Sequence, residues 1–325
     1  MITVHGVVDG SPVSGGVESV TAQSLWIDLL RPSPDEVATV AAVTGIHVPT
    51  HEKMQEIQAS SRLSRRGDAL VVTVPVLTGS GGFEPRNSPV TFILAGRRLV
   101  TVRYDTPHAF TTYLDALASG EQGLGSAGEI LLDLMEAVVD RIADVLEGLG
   151  GGLDAMSHRV FHQHTQDNKR RRATSRELEA LLRAIGRNGD LSSKARETLL
   201  GLKRMVAFLP HGDEPLGVTG AARRLETIGH DVQSLAEYVD FLGNKINFLL
   251  DATLGVINIQ QNQIIKLFTI MSVLFLPPTL VASWYGMNFK NIPELQWDYG
   301  YAYAVALAIF AALLPYWLFK RKGWM

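Results

Sequence analysis

The chain has 325 residues, of which 46% are hydrophobic, 19% are charged and none is cysteine, and its net charge is −3. This composition excludes a disordered or collagen-like chain, and the lack of cysteine excludes disulfides, thiolate metal sites and a cysteine nucleophile. The length predicts two or three structural units. The part before residue 286 carries about −5, which argues against a nucleic-acid partner because such binding needs a basic face.

The first 120 residues predict an α/β domain. Four β-like runs lie at residues 24–30, 69–77, 90–96 and 98–104, and the last two meet at Gly96 and Arg97, where a hairpin turn is expected. Ser33, Pro34 and Glu36 form the pattern of a helix start, with a capping residue, a proline at the first position and an acidic residue three after the cap.

Helical patterns fill the next part of the chain. Residues 121–220 predict a hairpin of two helices, interrupted near residues 166–168 and ended by Pro210. Residues 221–266 then predict a stalk helix, since no proline interrupts the pattern until Pro277. The N-terminus has neither the basic nor the apolar region of a signal peptide, so we expect no cleaved leader.

Two segments predict transmembrane helices. Residues 267–285 and 299–319 contain no Asp, Glu, Lys or Arg, and each is long enough for a hydrocarbon core that takes about 20 helical residues. Residues 286–298 between them form a short external loop. Lys266 precedes the first span and the tail of residues 320–325 is basic, so the positive-inside rule places both termini and the preceding domains in the cytoplasm.

One face of the first span and its stalk is largely polar. Its positions alternate by three and four residues, and five of the seven in or near the span are polar. They are Asn262, Ile265, Thr269, Ser272, Leu276, Thr279 and Ser283, continued downward by Asn258, Gly255, Asp251, Phe248 and Asn244. The hydroxyls either mediate close helix packing and bond their own helix, or line a water-filled pore. A pore would require a ring of identical subunits, because two spans cannot enclose it.

The loop after this span carries a family resemblance. The sequence YGMNF at residues 285–289, followed by IPEL at 292–295, resembles the signature of the CorA magnesium-channel family. The similarity is dense from about Gly255 onward and weaker at EKMQEIQASSRL, residues 52–63. It implies an α+β membrane protein that assembles as a homopentameric funnel in the inner cell membrane. It also implies that the first span lines the pore and that Gly286, Met287 and Asn288 form the selectivity filter.

The same resemblance assigns residues and a function. It implies pore-facing positions at Asn262, Ile265, Ser272, Leu276, Thr279 and Ser283, with Phe268 replacing Thr269 at one level. It places Asp251 near the inner mouth, and the polar face adds Asn258 to the pore-lining candidates. It implies passive uptake of Mg²⁺ driven by the membrane potential, with Mg²⁺ as cargo and regulatory ligand and with no other cofactor. The partners would be copies of the chain, the bilayer and divalent cations, with neither nucleic acid nor nucleotide. Transport of zinc, cobalt or nickel, or a sensor without transport, are the alternatives.

Charged residues around the pathway leave two questions. Lys290 stands where the family often has an acidic residue, so Glu294 and Asp298 are the expected acidic attractors of the loop. The resemblance also implies closure by cytoplasmic Mg²⁺. The candidate carboxylates are Asp68, Asp231, Glu237 and Asp240, for each of which a plain solvated surface is the alternative.

Other motifs predict no chemistry. His158 and His162, with His164 nearby, have a metal-binding spacing but no supporting carboxylate, which favours a solvated helix face. His51 and Glu52 open no HExxH motif, and the glycines of residues 120–128 lack the Lys-Ser/Thr of a phosphate-binding loop. We therefore expect a protein that is not an enzyme.

Overall fold

The structure, a computed structural model, describes residues 2–8, 11–21, 24–79, 84–162, 175–210, 216–288 and 293–322. The chain forms two compact units, Met1–Leu250 and Asp251–Met325. The interruption expected near residues 166–168 lies outside the described residues.

A mixed sheet of seven strands forms the centre of the first unit within the described residues. The strands are β1 (Ile2–Val8), β2 (Ser11–Gly15), β3 (Trp26–Leu30), β4 (Leu63–Arg66), β5 (Ala69–Thr78), β6 (Arg86–Ala95) and β7 (Arg98–Arg103). Their order is β2-β1-β3-β7-β6-β5-β4, with β3 and β7 parallel and all other neighbours antiparallel. The predictions of β3, β5, β6 and β7 are confirmed, whereas β1, β2 and β4 were not predicted.

Seven helices accompany this sheet in the described part of the chain. They are α1 (Pro34–Thr44), α2 (His51–Gln55), α3 (Ala59–Arg62), α4 (His108–Ser119), α5 (Ala127–His162), α6 (Ser175–Phe208) and α7 (Ala221–Tyr285). Helix α1 begins as its sequence predicts: the Ser33 hydroxyl accepts from the Glu36 amide at 3.3 Å, and the Glu36 carboxylate accepts from the Ser33 amide at 2.8 Å. The predicted turn between β6 and β7 is confirmed, with Gly96 at a φ of 56°.

The two faces of the sheet carry separate hydrophobic cores. One core joins Val71, Ile93 and Val100 to Val40 of α1 and Met54 of α2. On the opposite face, alternate residues of β5 and β6 join a larger core with buried residues of α4, α5, α6 and the first part of α7. Because successive side chains of a strand point to opposite faces, the sheet is buried on both sides.

Close approach fixes the first part of α7 against α5. A Cβ at Gly150 of α5 would lie 2.5 Å from the Tyr238 hydroxyl of α7, so any larger residue there would have to displace the tyrosine ring. Lys245 of α7 also pairs with Asp154 of α5 at 2.7 Å. The start of α7 therefore belongs to the packed core of the first unit.

The second unit contains the two apolar helices. Helix α7 continues through residues 251–285, with Pro277 and Pro278 inside it, and α8 spans Gly300–Arg321. Each helix has an 18-residue window of mean hydropathy 2.0, long and apolar enough to cross a membrane. A short 3₁₀ helix, Pro293–Gln296, precedes α8.

Candidate ion pathway

Within its apolar stretch, each of the two apolar helices has one half-buried face, and the rest of its surface is exposed. The half-buried positions of α7 near its end recur at 270, 273, 274, 277, 278, 281 and 285, and those of α8 at 304, 307, 308, 311, 312, 315 and 319. At 100° per residue, the polar face predicted from the sequence lies about 150° around α7 from this half-buried face. All seven of its positions from Asn262 to Ser283 are exposed within the chain. Packing inside the chain therefore does not use them.

Two threonines of this polar face bond their own helix. The Thr269 hydroxyl donates to the Ile265 carbonyl at 2.8 Å, and the Thr279 hydroxyl donates to the Phe275 carbonyl at 2.7 Å. These are the local bonds that the packing interpretation expected. A hydroxyl oxygen that has donated its proton still accepts hydrogen bonds. Both threonines can therefore accept from water, which is what the hydration shell of a cation offers.

Two apolar residues interrupt the polar face. The side chains of Ile265 and Leu276 are 61% and 65% exposed in the chain, and Phe268 beside them is 65% exposed. Large apolar side chains left this open in a single chain need lipid or another copy to cover them.

The downward continuation of the face is mixed in character. Asn258 and Asp251 are exposed. Phe248 is also exposed, but its ring stacks on Phe161 of α5 with centroids 5.7 Å apart. The polar continuity inferred from the sequence therefore stops at this aromatic pair.

The three residues Gly286, Met287 and Asn288 directly follow the end of α7. The Gly286 amide donates to the Ala282 carbonyl at 2.9 Å, and the Met287 amide donates to the Trp284 carbonyl at 3.4 Å. A side chain at Gly286 would crowd the Ala282 carbonyl at 3.0 Å. Asn288 is exposed, and its amide makes no hydrogen bond within the part of the chain that the structure describes. Among the described residues, the end of α7 thus presents an exposed Asn288 amide.

The loop charges lie at the start of α8. Glu294 belongs to the short 3₁₀ helix and is half-buried, and Asp298 is exposed. Gly300 begins α8 so close to the Glu294 carbonyl that a side chain would overlap it. Lys290 lies outside the described residues.

Aromatic residues flank both ends of α8. Trp297 and Tyr303 meet edge-to-face with centroids 5.9 Å apart near its start. Near its end the Arg321 guanidinium lies 5.3 Å from the Trp317 ring. Aromatic rings with a basic residue are typical of membrane–water interfaces, so they mark the two ends of a span.

The four carboxylates that the sequence offered as regulatory candidates are in different situations. Asp240 pairs with Arg196 at 3.1 Å, and Glu237 accepts from the Gln233 amide at 2.7 Å. Asp68 and Asp231 are exposed. Within the described residues, no group of three His, Cys, Asp or Glu residues is arranged to hold a metal ion.

An acidic row that the sequence reading missed lies beside Asp231. Partial desolvation and then the negative charges of Glu136, Asp144 and Asp231 raise the pKa of Asp140. Glu136, Asp140 and Asp144 are four residues apart on α5 and line a cavity of about 350 Å³. That spacing was the signal in the sequence, because residues at i and i+4 share a helix face.

The histidine candidates form no centre in the described residues. His158 lies near the end of α5 and is exposed, whereas the His162 side chain and His164 lie outside the described residues. His51 packs its ring on Tyr104 at 3.9 Å and accepts or donates a hydrogen bond with Gln55 at 3.0 Å.

The family model "CorA-like Mg2+ transporter protein" matches residues 21–321. The chain belongs to the CorA family. A relative named magnesium transport protein CorA from Escherichia coli K12 is 35% identical over 302 residues, which cover 93% of this chain and 92% of the relative. The family consists of transporters rather than enzymes.

Solved structures support the CorA architecture. The complete CorA magnesium transporter of Methanocaldococcus jannaschii matches with a TM-score of 0.74 at 16% identity, covering 100% of this chain and 99% of that one. The full-length CmaX protein matches with a TM-score of 0.72 at 20% identity, covering 100% and 98%. At these identities the likeness shows the fold: an N-terminal soluble α/β domain, a long helix and two C-terminal spans.

Proposed function

We propose that this chain forms a homopentameric channel for Mg²⁺ uptake in the inner cell membrane, with both termini in the cytoplasm. The observation that carries the proposal is the polar face of α7, which its own chain leaves open and which ends at the exposed amide of Asn288. A ring of α7 helices turns this face into the wall of a pathway.

Mg²⁺ suits such a wall because it loses its water shell reluctantly. Waters bound to a cation point their protons outward, so the wall must accept hydrogen bonds. Side-chain carbonyls of Asn288 and Asn262 and the hydroxyl oxygens of Ser272, Thr279 and Ser283 supply acceptors without stripping the ion. Selection through the hydrated ion follows from this chemistry.

The driving force and the gate are both passive. A divalent ion moving inward gains about 4.6 kcal/mol per 100 mV of inside-negative potential, which makes ATP unnecessary. Rings of Ile265 and Leu276 interrupt the polar wall and close it by excluding water. Opening then requires the helices to separate at these two levels.

Cytoplasmic Mg²⁺ supplies the closing signal. No described cluster holds a metal within one chain, so a regulatory ion would bridge carboxylates of neighbouring chains. Asp68 and Asp231 are better placed for this than Glu237 and Asp240, whose carboxylates already have partners. The ion stabilises closure only as far as it binds the closed ring more tightly than the open one.

The chain offers a direct test because it contains no native cysteine. Single cysteines are placed at the adjacent pairs Met271 and Ser272, and Ala282 and Ser283, whose members lie on and off the polar face. In proteoliposomes, a water-soluble thiol reagent should block Mg²⁺ uptake by Ser272→Cys and Ser283→Cys. It should leave Met271→Cys and Ala282→Cys active. Equal sensitivity within each pair would refute the pathway.

Selectivity is tested at the end of α7. Asn288→Ala should abolish selective Mg²⁺ uptake without preventing assembly, because it removes the amide ring. Uptake is compared across magnesium, cobalt, nickel and zinc, which also decides between a magnesium channel and a zinc, cobalt or nickel transporter. Correctly inserted protein that admits no ion would instead identify a sensor.

A further inference from the structure

A small polar cavity lies in the first unit, on the sheet face that α1 and α2 cover and beside β4, where the sheet ends. Its volume is about 180 Å³. The polar side chains that line it are His47, Lys53, Glu56, Ser61, Ser64, Arg66 and Thr73. Several of them belong to the segment of residues 52–63, which the transport proposal leaves without a role.

The register of the sheet places part of this lining on one face. Ser64 of β4 pairs with Val71 of β5, and Val71 belongs to the core shared with α1 and α2. Because side chains alternate along a strand, Arg66 shares the face of Ser64. Arg65 points to the opposite face and does not line the cavity.

Local bonds hold the opposite wall in place. Met54 is 1% exposed and anchors α2 to the sheet, so Lys53 and Glu56 flank a fixed point. The Thr50 hydroxyl accepts from the Lys53 amide at 3.4 Å and caps α2. The Arg62 guanidinium donates to the Glu56 carbonyl at 2.7 Å and fixes the connection to α3. The wall is therefore preorganised rather than a loose loop.

The lining has donors without partners. Among the described residues, neither the Lys53 ammonium nor the Arg66 guanidinium makes an ion pair or a side-chain hydrogen bond. The hydroxyls of Ser61 and Ser64 are likewise unengaged within the described part of the chain. Glu56 is the one carboxylate in the lining, so two cations and two hydroxyl donors face a single anionic group.

This chemistry selects an oxyanion over a metal ion. Ammonium, guanidinium and hydroxyl groups donate hydrogen bonds, and charge-assisted bonds to phosphate are among the stronger ones. Pockets for drug-sized ligands measure roughly 300–1,000 Å³, so this smaller cavity does not enclose a whole nucleotide. We propose that the cavity binds a phosphate-type oxyanion, either inorganic phosphate or the phosphate group of a small metabolite, between Lys53 and Arg66.

The proposal is tested by binding to the full-length chain in detergent, in phosphate-free buffer at constant ionic strength. Inorganic phosphate is titrated by calorimetry, and chloride serves as the blank. We expect saturable binding that Arg66→Ala and Lys53→Ala each weaken by about tenfold, as losing a charge-assisted hydrogen bond does. Glu56→Gln should bind phosphate more tightly than the natural chain.

Arg65→Ala is the matched control, because it removes the same charge from the same strand on the other face. Equal weakening by Arg65→Ala and Arg66→Ala, or binding that never saturates, would overturn the proposal. If Arg66→Ala lowers the melting temperature, the double variant of Ser61→Ala and Ser64→Ala repeats the test without changing charge.

Two further ligands identify the source of the phosphate. Glycerol phosphate that binds more tightly than inorganic phosphate indicates a phosphorylated metabolite, whereas the reverse order indicates the free ion. Either order supports the shared oxyanion chemistry. A chain that binds neither ligand contradicts the proposal. Since binding rather than uptake is measured, failure of the transport proposal would leave this result intact.

Discussion

The two units of the chain satisfy their apolar residues in opposite ways. In the first unit, Trp26 and Phe110 are completely buried by their own chain. In the second unit, the most apolar stretches of α7 and α8 contain no buried residue, and Phe268 and Leu276 are each 65% exposed. The first unit therefore obtains its stability from within, whereas the second leaves apolar surface that lipid or another protein surface must cover.

This difference separates stability from transport. Substitutions in the first unit should change the free energy of unfolding, because its side chains are packed against one another. Substitutions on the open face of α7 should change ion movement and leave that free energy alone. Four predictions test how sharp the separation is.

The largest effect is expected at the buried ion pair between β3 and β7. Arg103 donates to the Asp28 carboxylate at 2.7 Å, with side chains 5% and 2% exposed, and the Thr101 hydroxyl donates to the same carboxylate at 2.7 Å. Arg103→Leu leaves a buried charge without its partner, so denaturant unfolding should show a loss of about 3–5 kcal/mol.

The matched control is the exposed pair of Arg196 and Asp240, 3.1 Å apart. Arg196→Leu should cost about 1 kcal/mol or less, because exposed pairs contribute little. Similar losses in the two variants would contradict the burial argument. Replacing Asp28 and Arg103 together by leucine should recover part of the loss.

The second prediction concerns the apolar level at Leu276. Leu276→Ser should let Mg²⁺ flux persist several-fold above the natural chain at high internal Mg²⁺, because a polar ring holds water in the closed pore. Flux is measured in proteoliposomes loaded with Mg²⁺.

Leu267→Ser is the control, since Leu267 is 58% exposed but lies on the other side of α7. Its flux should stay regulated, and the first unit should unfold within about 0.5 kcal/mol of the natural chain in both variants. A leak in the Leu267 variant as large as that at Leu276 would break the distinction between the two faces.

The sequence predicted those features whose signal is local. Strands β5, β6 and β7, the cap of α1 and the two spans follow from alternation, capping residues and stretches without charge. The polar face of α7 also follows from spacing along one helix. By contrast, β4 is a four-residue edge strand that contains two arginines, so its composition does not indicate a strand.

Features that depend on contacts between residues distant in the sequence could not be predicted. The pairing of Asp240 with Arg196 joins α7 to α6, and the cavity beside β4 requires the register of β4 on β5. The bonds of Thr269 and Thr279 to their own helix depend on side-chain rotamers, which spacing does not define. Sequence reasoning thus identified the polar face of α7 but not the bonds that its hydroxyls make or the partners of the carboxylates in the first unit.

The third prediction is a pH dependence confined to the first unit. His5 is 4% exposed, stacks on Trp26 at 4.5 Å, and its pKa is lowered by burial, an effect that the Asp28 charge partly offsets. Near pH 6.5, His5 of the unfolded chain therefore binds a proton, whereas His5 of the folded chain does not. Stability should fall as the pH drops below about 6.5, down to the lowered pKa of the folded state.

Melting of the natural chain and of His5→Phe across pH 5–8 measures this effect. The difference between them should grow toward acid, whereas His230→Gln, an exposed histidine of α7, should track the natural chain. A His5→Phe variant with the same acid sensitivity as the natural chain would exclude His5 as the group that takes up the proton.

The smallest effect is expected at Asp140, in the acidic row of α5. The pKa of Asp140 is raised by desolvation and by Glu136, Asp144 and Asp231, so its ionised form opposes folding. A carboxyl group whose pKa is raised by folding contributes stability at acidic pH. That stability is lost as the pH rises from the ordinary pKa of 3.8 to the raised pKa of the folded chain. At pH 7, Asp140→Asn should therefore stabilise the Mg²⁺-free chain by about 0.5–1 kcal/mol, since like charges at i and i+4 cost about 0.2–0.5 kcal/mol each.

Millimolar Mg²⁺ screens the same carboxylates, so it should raise the melting temperature of the natural chain more than that of Asp140→Asn at equal ionic strength. Asp154→Asn is the control on the same helix, because Asp154 pairs with Lys245 at 2.7 Å and its loss should destabilise slightly. If Asp140→Asn destabilised the chain or kept the full Mg²⁺ response, the acidic row would be excluded as the point where internal Mg²⁺ acts. Asp140→Asn could instead lose the Mg²⁺-dependent rise in melting temperature while its uptake is still closed by internal Mg²⁺. In that case the closing ion binds elsewhere, and the acidic row affects the stability of the first unit without affecting transport.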